Sequence, residues 1–346
     1  MSQIAQPDDA TQLASIVEAA ARTQTPLLTT AGDSKWDWGR GLADTVHNDR
    51  SLGHSTPTQL NLSALSGIVD YEPSELVLVV GAATPLAQIE PLLTEQGQHL
   101  AFEPVHWRST ATAGGTVAVG LAGPRRFRAG SVRDFVLGLQ FVDGKGRLVR
   151  SGGRVVKNVS GFDLWRGLTG SFGSLGLITE VCFKLWPRPE AQCTLLFERP
   201  QLQAASRTML QLAQRQEEIS GLAYVPTQGV VARLEGSASA LQAQTETIAR
   251  DVAVDDRLPH DESCTLWRAL REVESLREKS GTLWRFVVPA ARWVELVGDL
   301  QAQGIEDYHV DWGGGQVWAR AGEDLPIKGH EIAAGVGGIA WRLATN

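Results

Sequence analysis

The residues of this chain that could do chemistry are gathered in glycine-bearing loops of its first half. In GFDLWRGLTGSFGSLGLITE, residues 161–180, Gly167, Gly170, Gly173 and Gly176 fall three apart. A buried helix would not carry them, because each interior glycine costs about 0.5–1 kcal/mol against alanine. Three further loops, AGDSKWDWGRG (31–41), TAGGTVAVG (112–120) and KNVSGFDL (157–164), sit at strand or helix junctions. Successive backbone N–H groups in such loops form concave donors for anions. The chain has neither a GxGxxG fingerprint nor a GxxxxGK[ST] phosphate loop. Several charge-assisted bonds of about 1.5–3 kcal/mol each would hold a diphosphate without a phosphate-loop lysine. Four such loops between residues 31 and 180 point to a long anionic ligand threaded between two subdomains, with the bare backbone at 167–176 letting it lie against the chain.

Other reactive side chains are sparse. Cys182, Cys193 and Cys264 are odd in number and lack a CxxC spacing, so no disulfide framework, zinc site or iron–sulfur cluster is expected, and no metal. They read as buried apolar side chains in a reducing, cytoplasmic setting. His309 and Asp311 share one face of the strand YHVDW, either as a base with its orienting carboxylate or as a satisfied sheet-face histidine. Arg125, Arg126 and Arg128 read as a solvated or partner-facing edge, with Arg128 the candidate cation for a carboxylate substrate. The eleven tryptophans read as core and interface filler, Trp36 and Trp38 being candidates for ligand stacking. A net charge of −7 argues against non-specific nucleic-acid binding. The N-terminal MSQIAQPDDATQ does not read as a signal peptide, and the longest apolar run, LVLVVGAA (76–83), is too short to span a membrane, so any membrane contact is expected to be peripheral.

The elements that must position these loops follow from periodicity. Residues 8–24 read as an amphipathic helix capped by Asp8 or Asp9 and stopped by Pro26, with Leu13, Ile16, Val17 and Ala20 as its apolar stripe. Strands are expected at 27–31, 58–63, 67–73 and 75–82, and a helix at 84–97 with Thr84 as N-cap and Pro85 at its first position. Residues 136–153 read as a hairpin around DGKG, and 177–186 as a strand ended by Pro187 and Pro189. Beyond this boundary strands and helices alternate, with a polar link before LWRFVVP (283–289), in two rounds that suggest an α+β sandwich with the sheet on one side and helices on the other. A length of 346 residues allows two domains, expected at 1–189 and 190–346.

The motif KNVSGFDLWRGLTGSFGSLGLITEVCFKLWP resembles the K-N-x-x-G-[YF]-D-L…G-S-x-G-x-L-G signature of the vanillyl-alcohol-oxidase/PCMH class of FAD-binding domains. FEP…TATAGGTVAVG is similar to its P…T-x-G-G segment, and GSVRDFVLGLQFVDGKGRLV to its R-D-x-V-L-G hairpin. LLTTAGDSK stands at the place of its pyrophosphate loop, and the match runs from about residue 8 to 190. Within the class, RRFRAGSVRDFVLG and the brief C-terminal half resemble the FAD-binding subunit of bacterial glycolate oxidases. The implied fold is α+β: a PCMH-type two-subdomain FAD-binding domain followed by a small ferredoxin-like α+β cap. The implied partners are a larger FAD-binding catalytic subunit and an iron–sulfur subunit, and the implied reaction is glycolate to glyoxylate. A free-standing 2-hydroxy-acid (D-lactate-type) dehydrogenase and a non-catalytic flavin-binding assembly subunit are the alternatives.

The resemblance assigns roles by position. Gly32, Asp33, Ser34 and Lys35 would face the FAD pyrophosphate, and Pro104, Thr112, Gly114, Gly115 and Thr116 would run beside the flavin and ribityl chain, with Ala118 in the helix behind. Arg133 and Asp134 would brace the loop before the hairpin; Asn158, Gly161 and Asp163 would close the pocket; Gly176 and Ile178 would meet the adenine end. Two departures from the family pattern matter. AGDSKWDW lacks the His or Cys that bonds FAD covalently, which implies dissociable FAD. His260, His309 and His330 occur only singly, without the paired histidines of the free-standing hydroxy-acid enzymes. No catalytic residue is assigned.

Overall fold

Asp9 opens the first helix: its carboxylate accepts from the amides of Thr11 and Gln12, both at 2.8 Å. The computed structural model describes residues 4–35, 57–153, 163–322 and 327–343. The chain divides into two compact units, the first holding, among the described residues, 4–35, 57–122, 130–153 and 163–188. In it β1 (Ile4–Ala5), β2 (Leu27–Thr30) and β3 (Thr58–Asn61) form a parallel sheet in the order β1-β3-β2. The first helix, α1 (Ala10–Thr23), buries Leu13 and Val17 in a cluster with Leu60, Leu65 and Val142.

The second sheet of this unit is antiparallel and five-stranded. Its members are β4 (Ile68–Glu72), β5 (Val77–Gly81), β7 (Val136–Val142), β8 (Leu148–Gly152) and β9 (Leu177–Lys184), in the order β4-β5-β9-β7-β8. A short ribbon joins β6 (Gln98–His99) to β10 (Trp186–Pro187). Strand β5 is buried throughout, as its unbroken apolar run requires. The helix α2 (Leu86–Glu95) starts one residue later than expected, after Pro85. Thr84 is not its cap: the buried hydroxyl donates to the Gly81 carbonyl (2.7 Å) and accepts from the Gly67 amide (2.9 Å), tying the strand end to the preceding loop. The segment 112–120, expected as a glycine loop, is instead the helix α3 (Ala113–Val119), capped by Thr112 and ended by Gly120.

The second unit contains, among the described residues, Gly123–Ala129 and the chain from Pro189 onward. Two βαββαβ rounds follow one another. The first is β11 (Ala191–Phe197), α4 (Leu202–Ala213), β12 (Ile219–Val225), β13 (Gly229–Gly236), α5 (Ala238–Asp251) and β14 (Asp256–Leu258). Then comes α6 (His260–Glu272). The second is β15 (Thr282–Val287), α7 (Trp293–Ala302), β16 (Asp307–Asp311), β17 (Gln316–Ala321), α8 (Gly329–Gly335) and β18 (Ile339–Leu343). They share one eight-stranded antiparallel sheet, β14-β11-β13-β12-β16-β17-β15-β18. Each round therefore has the 4-1-3-2 strand order of a ferredoxin-like repeat, and the repeats join edge to edge through β12 and β16.

Helices α4, α5, α7 and α8 bury one face of this sheet around Phe197, Tyr224, Phe286 and Val317. The expectation of helices on one side only needs correction. The segment taken as a polar link contains α6, whose Trp267 and Leu270 pack on Ala223 and Val231 of the opposite face. Its sequence, HDESCTLWRALRE, is mostly charged and polar, and it starts after Pro259 without a side-chain cap, so the usual signals were missing.

Candidate functional site

The first glycine loop leaves β2 and runs over the segment before α3. An ideal Cβ on Gly32 would stand 1.7 Å from the Thr110 carbonyl oxygen, so only glycine fits there. Asp33 takes a positive φ of 51° and its carboxylate accepts from the Ala31 amide (3.2 Å), which fixes the turn. The amides of Gly32, Asp33 and Ser34 have no acceptor among the described residues. Lys35 lies back on the protein, its Nζ donating to the His106 carbonyl and to Ser34 Oγ, each at 3.3 Å. Trp36 and Trp38 lie outside the described residues.

The second loop behaves differently. Thr112 caps α3 through its side chain, accepting from the Gly115 amide (3.2 Å). The amides of Ala113, Gly114 and Thr116 donate to the carbonyls of Thr84 (3.0 Å), Ala82 (2.7 Å) and Thr112 (2.9 Å). The first turn of α3 thus has no amide left for an anion. Gly114 is glycine because its Cβ would press within 2.6 Å of the Ala82 Cβ. Bareness at 113–115 serves the docking of α3 on the end of β5, not ligand access by amides. What this helix does leave open is the Thr116 hydroxyl, buried and without a partner. Pro104 is buried in a bridge to Ala122.

The stretch at 163–178 clamps onto the same helix. The Gly170 amide donates to the Val117 carbonyl (3.0 Å) and the Phe172 amide to the Ala118 carbonyl (2.9 Å). Gly170 and Gly173 are turn glycines with φ of 83° and 76°, and Gly176 is buried with its bare Cα facing Phe141 and the Val142 carbonyl. The Ser171 Oγ is a second buried hydroxyl without a partner. Ile178 is a buried residue of β9, opposite Phe141. Asp163 is exposed and pairs with Arg166 (3.0 Å), making no side-chain capping bond. The Asp134 carboxylate is spent on its own loop, accepting from Ser131 N and Oγ at 2.7 Å, and Arg133 is exposed beside it. Asn158 and Gly161 lie outside the described residues.

The structure therefore brings together Gly32 with Thr112, and Thr112, Gly114, Thr116 and Ala118 with the turn at 170–172. Free loop amides suit a diphosphate, and two orphaned buried hydroxyls suit the polar edge of a large ligand. These groups fit FAD.

A second polar cluster lies within the other unit, and of its residues the sequence singles out only His309 as a candidate for chemistry. Strand register aligns Trp341 with Arg285, Arg285 with Trp318, and Trp318 with His309, so the four share a sheet face. Arg285 is 7% exposed and His309 2%. Arg285 Nε donates to Gln316 Oε1 (2.7 Å), and its guanidinium lies 4.9 Å from the Trp341 ring, 5.3 Å from Trp312 and 5.9 Å from Trp318. Burial, with the Arg126 charge adding repulsion, pushes the Arg285 guanidinium down to about 9. Neither ring nitrogen of His309 has a partner, and burial lowers its pKa to about 4. The satisfied sheet-face histidine expected here is thus buried but unsatisfied. The available sequence signal for Arg285 was a lone cation inside the apolar strand LWRFVV. Arg128, read as part of a solvated edge and kept as a candidate carboxylate cation, forms an exposed pair with Glu218 (3.3 Å).

Comparison with known proteins agrees on the cofactor. Residues 1–152 match the FAD binding domain family FAD_binding_4, so the cofactor is FAD. Over 331 residues, 95% of this chain and 85% of the relative, the sequence is 37% identical to glycolate oxidase subunit GlcE of Escherichia coli. The chain belongs to the GlcE family. Two other relatives match this GlcE-family chain over shorter spans. Glycolate oxidase subunit GlcD of Bacillus subtilis is 40% identical over 29% of this chain and 21% of its own length. A D-lactate dehydrogenase of Archaeoglobus fulgidus is 27% identical over 61% of this chain and 45% of its own. The GlcE-family chain thus spans less than half of either. Its fold resembles p-cresol methylhydroxylase, with a TM-score of 0.70 over 96% of this chain and 77% of that one at 13% identity. Alkyldihydroxyacetonephosphate synthase gives 0.67 over 97% and 71% at 14% identity. At such identities the likeness concerns fold alone. No helix among the described residues is long and apolar enough to cross a membrane.

Proposed function

We propose that this chain is the FAD-binding subunit of a multi-subunit dehydrogenase that oxidises glycolate to glyoxylate and passes the electrons to a partner subunit. The observation that carries the reading is the 37% identity to a glycolate oxidase GlcE subunit along 95% of the chain. Bound FAD supplies an acceptor for the two electrons leaving the substrate carbon. The chain's own contribution is binding and orientation. The free amides of Gly32, Asp33 and Ser34 take the diphosphate, and the Thr116 and Ser171 hydroxyls take polar atoms of the cofactor in a water-poor setting. FAD is held without a covalent bond. Pro104, Gly114, Ala118, Gly176 and Ile178 act through shape, as buried or closely packed neighbours of these donors.

The match to a GlcD subunit supports a larger flavin subunit as partner. An iron–sulfur subunit receives the electrons, and the complex works in the cytoplasm or at the inner membrane face. Co-expression of the chain with those two subunits tests the reading. The complete complex is expected to reduce an artificial acceptor with glycolate, and omission of this chain to abolish that activity. A complete, flavin-loaded complex inert toward glycolate and D-lactate refutes it.

A further inference from the structure

Arg285 is a buried cation with an incomplete set of partners. Among the described residues only Nε is bonded, to Gln316, and no carboxylate lies within ion-pair distance of the guanidinium. Three indole rings surround it and Arg126, itself 4.3 Å over the Trp312 ring, adds positive charge. Aromatic faces attract a guanidinium but bring no counter-charge, and a buried ion without one is costly. Arginine's planar fork matches a carboxylate through two parallel N–H···O bonds. Beyond Trp318 on the same sheet face stands His309, whose ring nitrogens are also unpartnered. A neutral imidazole offers one donor and one acceptor, which suits a hydroxyl group. Gln316 and the three tryptophans hold the fork in place, and every residue of the cluster belongs to the second unit.

We propose that Arg285 anchors a binding site for a small carboxylate in the tandem-repeat unit, with the Gln316 amide orienting the guanidinium and His309 available to a hydroxyl on the ligand. The proposal rests on the function above only in naming glycolate as the carboxylate; the anchor itself stands on the geometry of this unit.

The experiment is calorimetric titration of the FAD-loaded chain with glycolate and, separately, with chloride. It is repeated with Arg285→Met and Arg285→Lys, alongside flavin content and melting temperature. Loss of a charge-assisted fork is expected to weaken glycolate binding by about 10–100-fold in Arg285→Met. Arg285→Lys, which keeps the charge but not the fork, is expected to fall between that variant and the parent. Flavin content and melting temperature are expected to hold. The proposal is overturned if Arg285→Met binds glycolate like the parent, if the parent binds none, or if chloride binds as tightly as glycolate. The reconstituted complex separates the two readings. Glycolate oxidation by the parent complex with unchanged KM in Arg285→Met removes this site and leaves the subunit function standing. Arg285-dependent glycolate binding in a chain whose complex does not oxidise glycolate removes the function and leaves the site.

Discussion

Arg233 and Arg285 are both buried arginines on tryptophan rings, one in each ferredoxin-like repeat, and they have opposite electrostatic settings. Arg233, on β13, donates to Ser220 Oγ (2.9 Å), stacks 4.7 Å over Trp267 of α6, and stands 3.8 Å from Glu235. Glu235 is also held by Arg125, whose Nε lies 3.1 Å from both of its oxygens. Arg285 has the stacking and one neutral acceptor but, among the described residues, no acid within ion-pair distance. The fold repeats while the counter-charge does not. A repeat that neutralises its own buried cation is using it for structure. One that leaves the cation open among the described residues is the setting on which the proposed carboxylate site rests.

That contrast can be broken at its strongest point first. Glu235→Gln removes the shared anion and leaves Arg125 and Arg233 facing each other, so a loss of about 3 kcal/mol is expected in urea unfolding. A change under about 1 kcal/mol would mean that the first repeat does not depend on its counter-charge.

His309 sharpens the picture through pH. Its folded pKa is about 4, below the ordinary 6.5. Between these values the unfolded chain takes up a proton that the folded chain refuses, so stability is full above pH 6.5 and falls as the pH drops toward 4. Integrated over that window the penalty is about 3 kcal/mol. His309→Phe is expected to show a correspondingly shallower decline than the parent in denaturant midpoints measured from pH 7 to 4. Identical slopes would mean that His309 titrates normally.

A smaller effect is expected at Arg285 itself. Because its charge is uncompensated, Arg285→Met should leave unfolding stability unchanged or raise it by about 1 kcal/mol, whereas Arg233→Met should lower it. A large loss in Arg285→Met would make that arginine as structural as Arg233. The smallest effect belongs to Arg128→Ala. Its partner Glu218 and its own side chain are both largely exposed, so the change should lie within about 0.5 kcal/mol.

Much of the fold was legible because apolar periodicity decided it. The first helix, the buried strand at Val77–Gly81, the hairpin around Asp143 and the later strand–helix alternation stand close to where the pattern put them. What escaped were features set by tertiary contact. Helix α6 is stabilised by Trp267, whose indole N–H donates to Thr194 (2.8 Å), and little in its own sequence announces a helix. Thr84 looked like a cap and instead ties two loops. The glycines at 114, 170, 173 and 176 were legible as special, but their reasons were not: close packing or a left-handed turn accounts for each, while unsatisfied donors sit at 32–34 and on Thr116 and Ser171. A buried arginine without an acid cannot be told from a paired one until register shows what stands opposite it.

The central claim, that the first unit grips FAD through the 31–35 loop and the two orphaned hydroxyls, is tested most directly by flavin content. The purified chain and a Thr116→Val/Ser171→Ala double variant are loaded with FAD, and the chromophore is released with acid and quantified by its visible spectrum. The account predicts one releasable FAD per parent chain, and dissociation from the double variant about 5–150-fold easier at two hydrogen bonds of about 0.5–1.5 kcal/mol each. A parent chain that takes up no flavin, or a double variant that holds it as tightly as the parent, would contradict it.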